Sequence, residues 1–310
     1  MKANVVIFEP KGGNSLKRRI KNILLFLMTF FETMFSLSLV LIYSRKVSLG
    51  HVAQRNKIFI LGNGPSLKDD LKGVIALSAR EEIDVCAVND FAFSDVFFDI
   101  RPSIYVLADP GYWADNVGED LSVRRARLLE IFSERVTWPM QVMLPIDARK
   151  SSIFNNLISG AVTYSFYNRT PLSGFKWLIF RFFDLGVGMP PPYNVLIAAI
   201  TLSLLKGYKQ VFILGADHSW HEELSVATGK KVQVAQKHFY DNKVEQKPVY
   251  KEAGETFTIG DLFIRWGKVF KMYETLYLYA KHKNSQVYNL SSKTYIDAFP
   301  RSSLDEFRDL

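Results

Sequence analysis

Residues 57–67 read KIFILGNGPSL, and this stretch decides the fold. Ile58, Phe59, Ile60 and Leu61 are consecutive β-formers without polar alternation, the pattern of a strand buried on both faces. Gly62, Asn63, Gly64 and Pro65 break the run. Ser66 opens a helix, and Asp69 three residues on completes a capping box. Strand, glycine turn and capped helix start together predict a nucleotide-binding βα corner. The glycines admit a phosphate close to the backbone, and the N–H groups at the helix start bind it. An ordinary βα turn is the plain alternative for a bare Gly-x-Gly. A dinucleotide is disfavoured, because Leu67 stands where its fingerprint wants a third glycine, and Asp69 and Asp70 repel a pyrophosphate.

The same rhythm recurs downstream. Residues 67–80 read as a helix, 84–88 (DVCAV) as a second buried strand ending at Asn89, and 103–108 as a third ending at Asp109. A charged helix at 121–134 and a short strand at 141–144 follow. Residues 151–192 are dense in aromatics and read as an insertion or lid, with a short apolar helix at 175–185. Tyr193 and Asn194 then cap an apolar helix at 195–205, Gly207 stops it, and 210–214 (QVFIL) is a buried strand ending in Gly215, Ala216 and Asp217. A polar segment carries His238 and Tyr240 ahead of an amphipathic helix at 258–281 and a last strand at 286–290, with Ser291 at its end. Open α/β sheets bind ligands at the carboxyl ends of their strands, which makes Asn89 and Asp109 site candidates. A cap or turn role is the alternative for each.

Length and composition permit one large α/β domain or two small ones, since 310 residues with 48% hydrophobic content can bury a full core. The formal charge of +8 lies entirely in residues 1–57, which hold ten Lys/Arg and two Asp/Glu; residues 58–310 hold 29 of each sign. A nucleic-acid-binding domain needs its basic footprint on the folded surface, so the distribution argues against that class. Attraction to anionic lipid headgroups fits instead. Cys86, the single cysteine, can form no internal disulfide, which suits a reducing cytoplasm.

Beyond a short apolar run at 5–8, the N-terminal arm places Lys17, Arg18, Arg19 and Lys21 before an apolar stretch at 23–43 and Arg45 and Lys46 after it. The stretch is long enough to span a bilayer, and it lacks the small-residue cleavage site of a signal peptide. Thr29, Glu32, Thr33 and Ser36 nevertheless form one polar stripe at helical spacing. Glu32 is costly in hydrocarbon, which favours an in-plane helix with the stripe against protein or headgroups. A span and a core helix are the alternatives. Basic residues are denser before the helix, so a span would send the rest of the chain out of the cytoplasm.

GNGPSL at 62–67 resembles the start of the bacterial sialyltransferases that decorate lipooligosaccharide from CMP-sialic acid. It is also similar to the related motility-accessory and hydroxymethylpterin-diphosphokinase-like proteins. A second match lies about 150 residues later: an apolar helix, Gly207-Tyr208-Lys209, an apolar strand and Gly215-x-Asp217. The resemblance covers residues 58–310, with 151–192 poorly matched. It implies an α/β, Rossmann-like single-sheet glycosyltransferase domain behind a membrane-associating arm at 1–57. It implies a nucleotide-sugar donor, CMP-linked, a glycan or glycolipid acceptor, inverting transfer without metal or cofactor, and precedent for a homo-oligomer.

The resemblance also assigns residues. Asn63 and Asn89 match positions that contact the nucleotide, and Asp109 falls where the family has an asparagine before proline. Gly62, Gly64, Ser66, Tyr193, Asn194, Asp217 and Ser291 complete the expected donor-binding set. The family's base is a histidine in a polar segment after Gly-x-Asp, and His238 of KHFYDN is the positional match. The family's phosphate-binding tyrosine after Gly-x-Asp falls on Ser219 or Trp220, so Tyr240 or Tyr193 must substitute. Such an enzyme belongs at the cytoplasmic face of the inner membrane, peripheral or monotopic, held through residues 17–46.

Three other readings stand beside this one. His218, His221 and Glu222 can supply metal ligands, although the Asp-x-Asp of metal-using transferases is missing. A Mg²⁺-dependent diphosphokinase acting on a pterin-like substrate would use Asp109 and Asp217. A lipid-binding scaffold without activity is the last.

Overall fold

In the computed structural model, the described residues are 15–309, apart from 51–52, 54, 80–82, 152, 154–159, 228–230, 236–237, 241–245 and 249–255. The apolar run at 5–8 lies outside them. Helix α1 spans Ser15–Tyr43, β1 Lys57–Leu61, α2 Leu67–Ser78, β2 Asp84–Val88, α3 Val96–Ile100, β3 Ile104–Val106, α4 Glu119–Glu130 and β4 Met140–Pro145. Next come β5 Val162–Tyr167, α5 Lys176–Asp184, α6 Val195–Lys206 and β6 Gln210–Leu214. The chain closes with β7 Leu224–Ala227, β8 Lys231–Ala235, β9 Gln246–Pro248, α7 Ile259–His282 and β10 Gln286–Asn289.

Seven of these strands form one parallel sheet in the order β10-β6-β1-β2-β3-β4-β5. The fold is thus the Rossmann-like α/β class read from the sequence. Because successive side chains leave a strand on opposite faces, β1 divides its run between two cores. Ile58 and Ile60 pack beneath α5, α6 and α7; Phe59 and Leu61 pack beneath α2, α3 and α4. Helix α6 is buried nearly all round, which explains its largely apolar sequence. Its Thr201 and Ser203 hydroxyls donate back to the carbonyls of Ile197 and Ala199, at 2.7 and 2.8 Å, and so carry no unpaired donor into the core.

Two parts differ from expectation. Residues 151–192, read as an insertion, supply β5, the edge strand paired to β4 from Met140–Val162 to Pro145–Tyr167. The polar segment after β6 forms a second sheet of three antiparallel strands, β7-β8-β9, packed on the start of α7 through Val232, Val234 and Leu262.

Helix α1 is long and apolar enough to cross a membrane by length and composition. Most of its large side chains are exposed, from Leu16 to Tyr43. The polar stripe is the exception, because Thr33 and Ser36 are buried against the loop before α5. Ser173 N–H donates to Ser36 Oγ at 2.9 Å, Ser36 Oγ donates to Ser173 O at 2.8 Å, and Phe175 N–H donates to Thr33 Oγ1 at 3.0 Å. Thr33 and Ser36 thus face protein, while the Thr29 hydroxyl donates to Leu25 O within the helix and Glu32 is exposed.

Candidate functional site

Strand order reverses at β1, whose chain runs outward through β2 to β5 and returns to β6 on its other flank. Ligand crevices of open α/β sheets lie beyond the carboxyl ends of the strands at such a point. A cleft of about 900 Å³ opens there, bounded by the glycine corner after β1 and by Gly215–Ser219 after β6.

The glycine corner is built differently from the expectation. Gly62 and Gly64 N–H groups donate to the carbonyls of Leu214 and Gly215, each at 2.8 Å. A Cβ on Gly62 would sit 2.4 Å from Gly215 O, and one on Gly64 would sit 2.2 Å from Asp217 Oδ1. The glycines therefore admit the neighbouring strand end. The capping box is absent: Ser66 has helical dihedrals of −61° and −22°, and its side chain caps nothing. Its N–H and hydroxyl donate instead to Asp217, at 3.0 and 2.5 Å. Leu67, Lys68 and Asp69 spend their N–H groups on the carbonyls of Gly64, Pro65 and Ser66. A carboxylate of the protein occupies the helix start that the sequence offered to a phosphate. Burial raises the Asp217 pKa, while the two Ser66 donors pull it down. The capping box sits further along, at Thr258 and Asp261 on α7.

The neighbouring strand ends complete the floor. Asn89 holds a left-handed φ of 47°, and its Oδ1 accepts Ala108 N–H at 3.3 Å, bridging the ends of β2 and β3. Asp109 accepts Gly111 N–H at 2.8 Å, so one oxygen serves the turn while the residue lines the cleft.

On the β6 side, a hydrogen-bond relay fixes one histidine. Asn194 caps α6 by accepting Ile197 N–H at 3.0 Å, which orients its amide nitrogen to donate to Tyr273 Oη at 2.9 Å. The same amide nitrogen, which can only donate, lies 3.1 Å from His218 Nε2, so Nε2 is the acceptor, Tyr273 Oη donates to it at 2.7 Å and the ring proton stays on Nδ1. Burial lowers the His218 pKa to about 3, so the ring is neutral at any working pH. Its φ of 52° is a strained backbone for a non-glycine residue, a cost of about 1 kcal/mol or more that the relay holds in place. With Nε2 engaged, His218 does not present that nitrogen to a metal. The Glu222 carboxylate accepts from Lys293 at 2.5 Å and from Tyr295. Among the described residues no three of His, Cys, Asp or Glu gather to hold an ion.

His238 lines the cleft from the segment after β8. That segment is tied to the glycine corner, since Phe239 N–H donates to Asn63 O at 3.1 Å and the Phe239 ring packs on Phe91, 5.3 Å between centroids. Tyr240 stacks behind His238 at 5.2 Å, outside the cleft lining. Of the donor-binding candidates, Gly62, Asn63, Gly64, Ser66, Asn89, Asp109, Tyr193, Asn194 and Asp217 share the cleft. Ser291 does not; it is fully buried, and its hydroxyl accepts Ala216 N–H at 3.0 Å.

Three cationic lining residues escaped the sequence reading: Arg169 beyond β5, Arg265 on α7 and Lys293 beyond β10. They face five carboxylates: Asp69, Asp109, Asp217, Glu222 and Glu223. Ser292 and Lys293, in the loop after β10, take the place expected of Ser291.

No family profile matches the chain, and no curated protein matches it. Among solved structures, the chain matches the MAf glycosyltransferase from Magnetospirillum magneticum AMB-1 at 14% identity and a TM-score of 0.47. The match covers 85% of this chain and 35% of that one, so this chain spans about a third of that protein's length.

Proposed function

We propose that residues 58–310 are a glycosyltransferase unit that moves an acidic sugar from a CMP-activated donor to a glycan or glycolipid acceptor. The observation that carries this reading is the single cleft at the strand-order reversal, shared by the glycine corner, Asn89, Asp109, Tyr193, Asn194, His218 and His238. In this reading the acceptor hydroxyl gives its proton to the His238 imidazole as its oxygen attacks the anomeric carbon. The bond from that carbon to the phosphate oxygen breaks on the opposite side, and CMP leaves with inversion. Arg265, Arg169 and Lys293 are the cations that line the cleft, and in this reading Arg169 and Lys293 turn to the departing phosphate from their carboxylate partners Asp147 and Glu222. No metal takes part. The arm at 1–57 keeps the unit at the cytoplasmic face of the inner membrane.

A thermal-shift series with CMP, UDP, GDP, ATP and a pterin tests the reading, because a ligand of the folded state raises the melting temperature by mass action. CMP should give the largest shift, unaltered by chelator. A shift confined to ATP or the pterin, and dependent on Mg²⁺, would replace sugar transfer by diphosphate transfer.

A further inference from the structure

A second cavity, of about 810 Å³, lies away from the cleft, between the linker that follows α1 and the outer strands β4 and β5. Its wall includes the amino-terminal approaches of β1, β2 and β6, through Arg55, Asp84 and Lys206. Four cations line it, Lys46, Arg55, Arg149 and Lys206, against one carboxylate, Asp84. That carboxylate is spoken for: it accepts from Arg55 at 3.0 Å, from Ser103 at 3.4 Å and from Tyr208 at 2.6 Å. The wall therefore carries a surplus of three positive charges, with Lys46 and Arg55 supplied by the basic arm at 1–57. Lys206 is 6% exposed, and its Nζ donates to Leu49 O at 3.1 Å and Gln141 Oε1 at 2.8 Å. Burial lowers its pKa, a cost that an anion in the cavity would relieve.

We propose that this cavity binds a phosphate group. A tetrahedral anion carrying up to two charges is what several cations lining one cavity neutralise, and Ser48, Thr163 and Ser165 bring hydroxyls to the same lining. Lys46 lies three residues beyond the last residue of α1, so the cavity begins where an apolar helix would emerge from a bilayer. A lipid headgroup and a soluble phosphate share this chemistry. The site is independent of the reading of the cleft.

The test uses the full chain in neutral detergent, with inorganic phosphate against chloride at equal ionic strength, and in nanodiscs of phosphatidylcholine with and without phosphatidic acid. Melting temperature is the readout, for the wild type and for the double variant Lys46→Gln, Arg149→Gln. Both residues are exposed, so the variant keeps the fold. Phosphate or phosphatidic acid should raise the wild-type midpoint, and the double variant should lose at least half of that rise. A rise with phosphatidic acid alone identifies a lipid source, and a rise with inorganic phosphate identifies a soluble one. Equal rises in wild type and variant, or none in either setting, overturn the site. A CMP shift retained by the variant keeps this outcome separate from that of the cleft.

Discussion

Asp217 Oδ1 and Oδ2 accept the hydroxyl and the N–H of Ser66, which locks the end of β6 to the start of α2 across the strand-order reversal. Gly64 lies inside this lock, its missing Cβ leaving room for the Asp217 carboxylate and the Gly215 carbonyl. Gly64→Ala should therefore destabilise the fold by about 1–3 kcal/mol, the usual cost of overpacking. Urea unfolding measures it. A glycine kept only for phosphate approach would lose nucleotide affinity and leave the unfolding midpoint where it was.

The docked stripe on α1 gives a second test. Replacing Thr33 by Val keeps the shape and removes the acceptor for Phe175 N–H, and Ser36→Ala does the same for Ser173 N–H. Each buried donor left unpaired costs about 1–3 kcal/mol. Hydrogen exchange at the Ser173 and Phe175 amides should accelerate in the double variant while amides of β1 stay protected. Unchanged exchange at both positions would mean that α1 is not seated on this loop.

Asp70, on the first turn of α2, has its pKa raised to about 6, chiefly by burial and then by Asp69, and its Oδ2 is buried without a hydrogen-bond partner. Its folded-state pKa lies above the ordinary carboxylate value. The folded state therefore holds this proton between about pH 4 and 6 while the unfolded state has released it. The associated stability is present below that window and lost as pH rises through about 6. Asp70→Asn should thus stabilise the protein at pH 8 and change little at pH 4. Melting temperatures at the two pH values decide it, and an equal effect at both would reject the burial argument.

The strands buried on both faces were legible because each is a short, unbroken run of β-formers between turn residues: IFIL in β1, VCAV in β2, VFIL in β6. Strand β5 was not. Its sequence, VTYSFY, mixes buried and accessible positions at a sheet edge, and its tyrosines and phenylalanine merged with the aromatics around it. The stripe on α1 was visible as spacing, and the structure supplies its partner. The role of Asp217 was hidden, since Ser66 and Asp217 are 151 residues apart and helix-start patterns report only local partners. The same limit concealed Arg169, Arg265 and Lys293, which share a cleft through topology alone. The relay from Asn194 through Tyr273 to His218 likewise joins three distant elements, although Asn194 announced itself as a cap.

His238 carries the sharpest test of the proposed chemistry. It stands on a segment pinned to the glycine corner through Phe239 and Asn63, with its ring stacked on Tyr240. The other cleft histidine, His218, already accepts from Tyr273 on Nε2 and is held neutral by burial, which suits it to donate from Nδ1 and not to take a proton there. If His238 is the base, His238→Ala should lower turnover by roughly a hundredfold or more, the scale of general-base assistance. Donor affinity should change little, because the base meets the acceptor hydroxyl and not the nucleotide. His218→Ala should behave differently. It empties a buried site and breaks the relay to Asn194, so it should lower the melting temperature along with the rate. Turnover and melting temperature measured together separate the two roles. Near-normal turnover in His238→Ala would take the base away from this histidine.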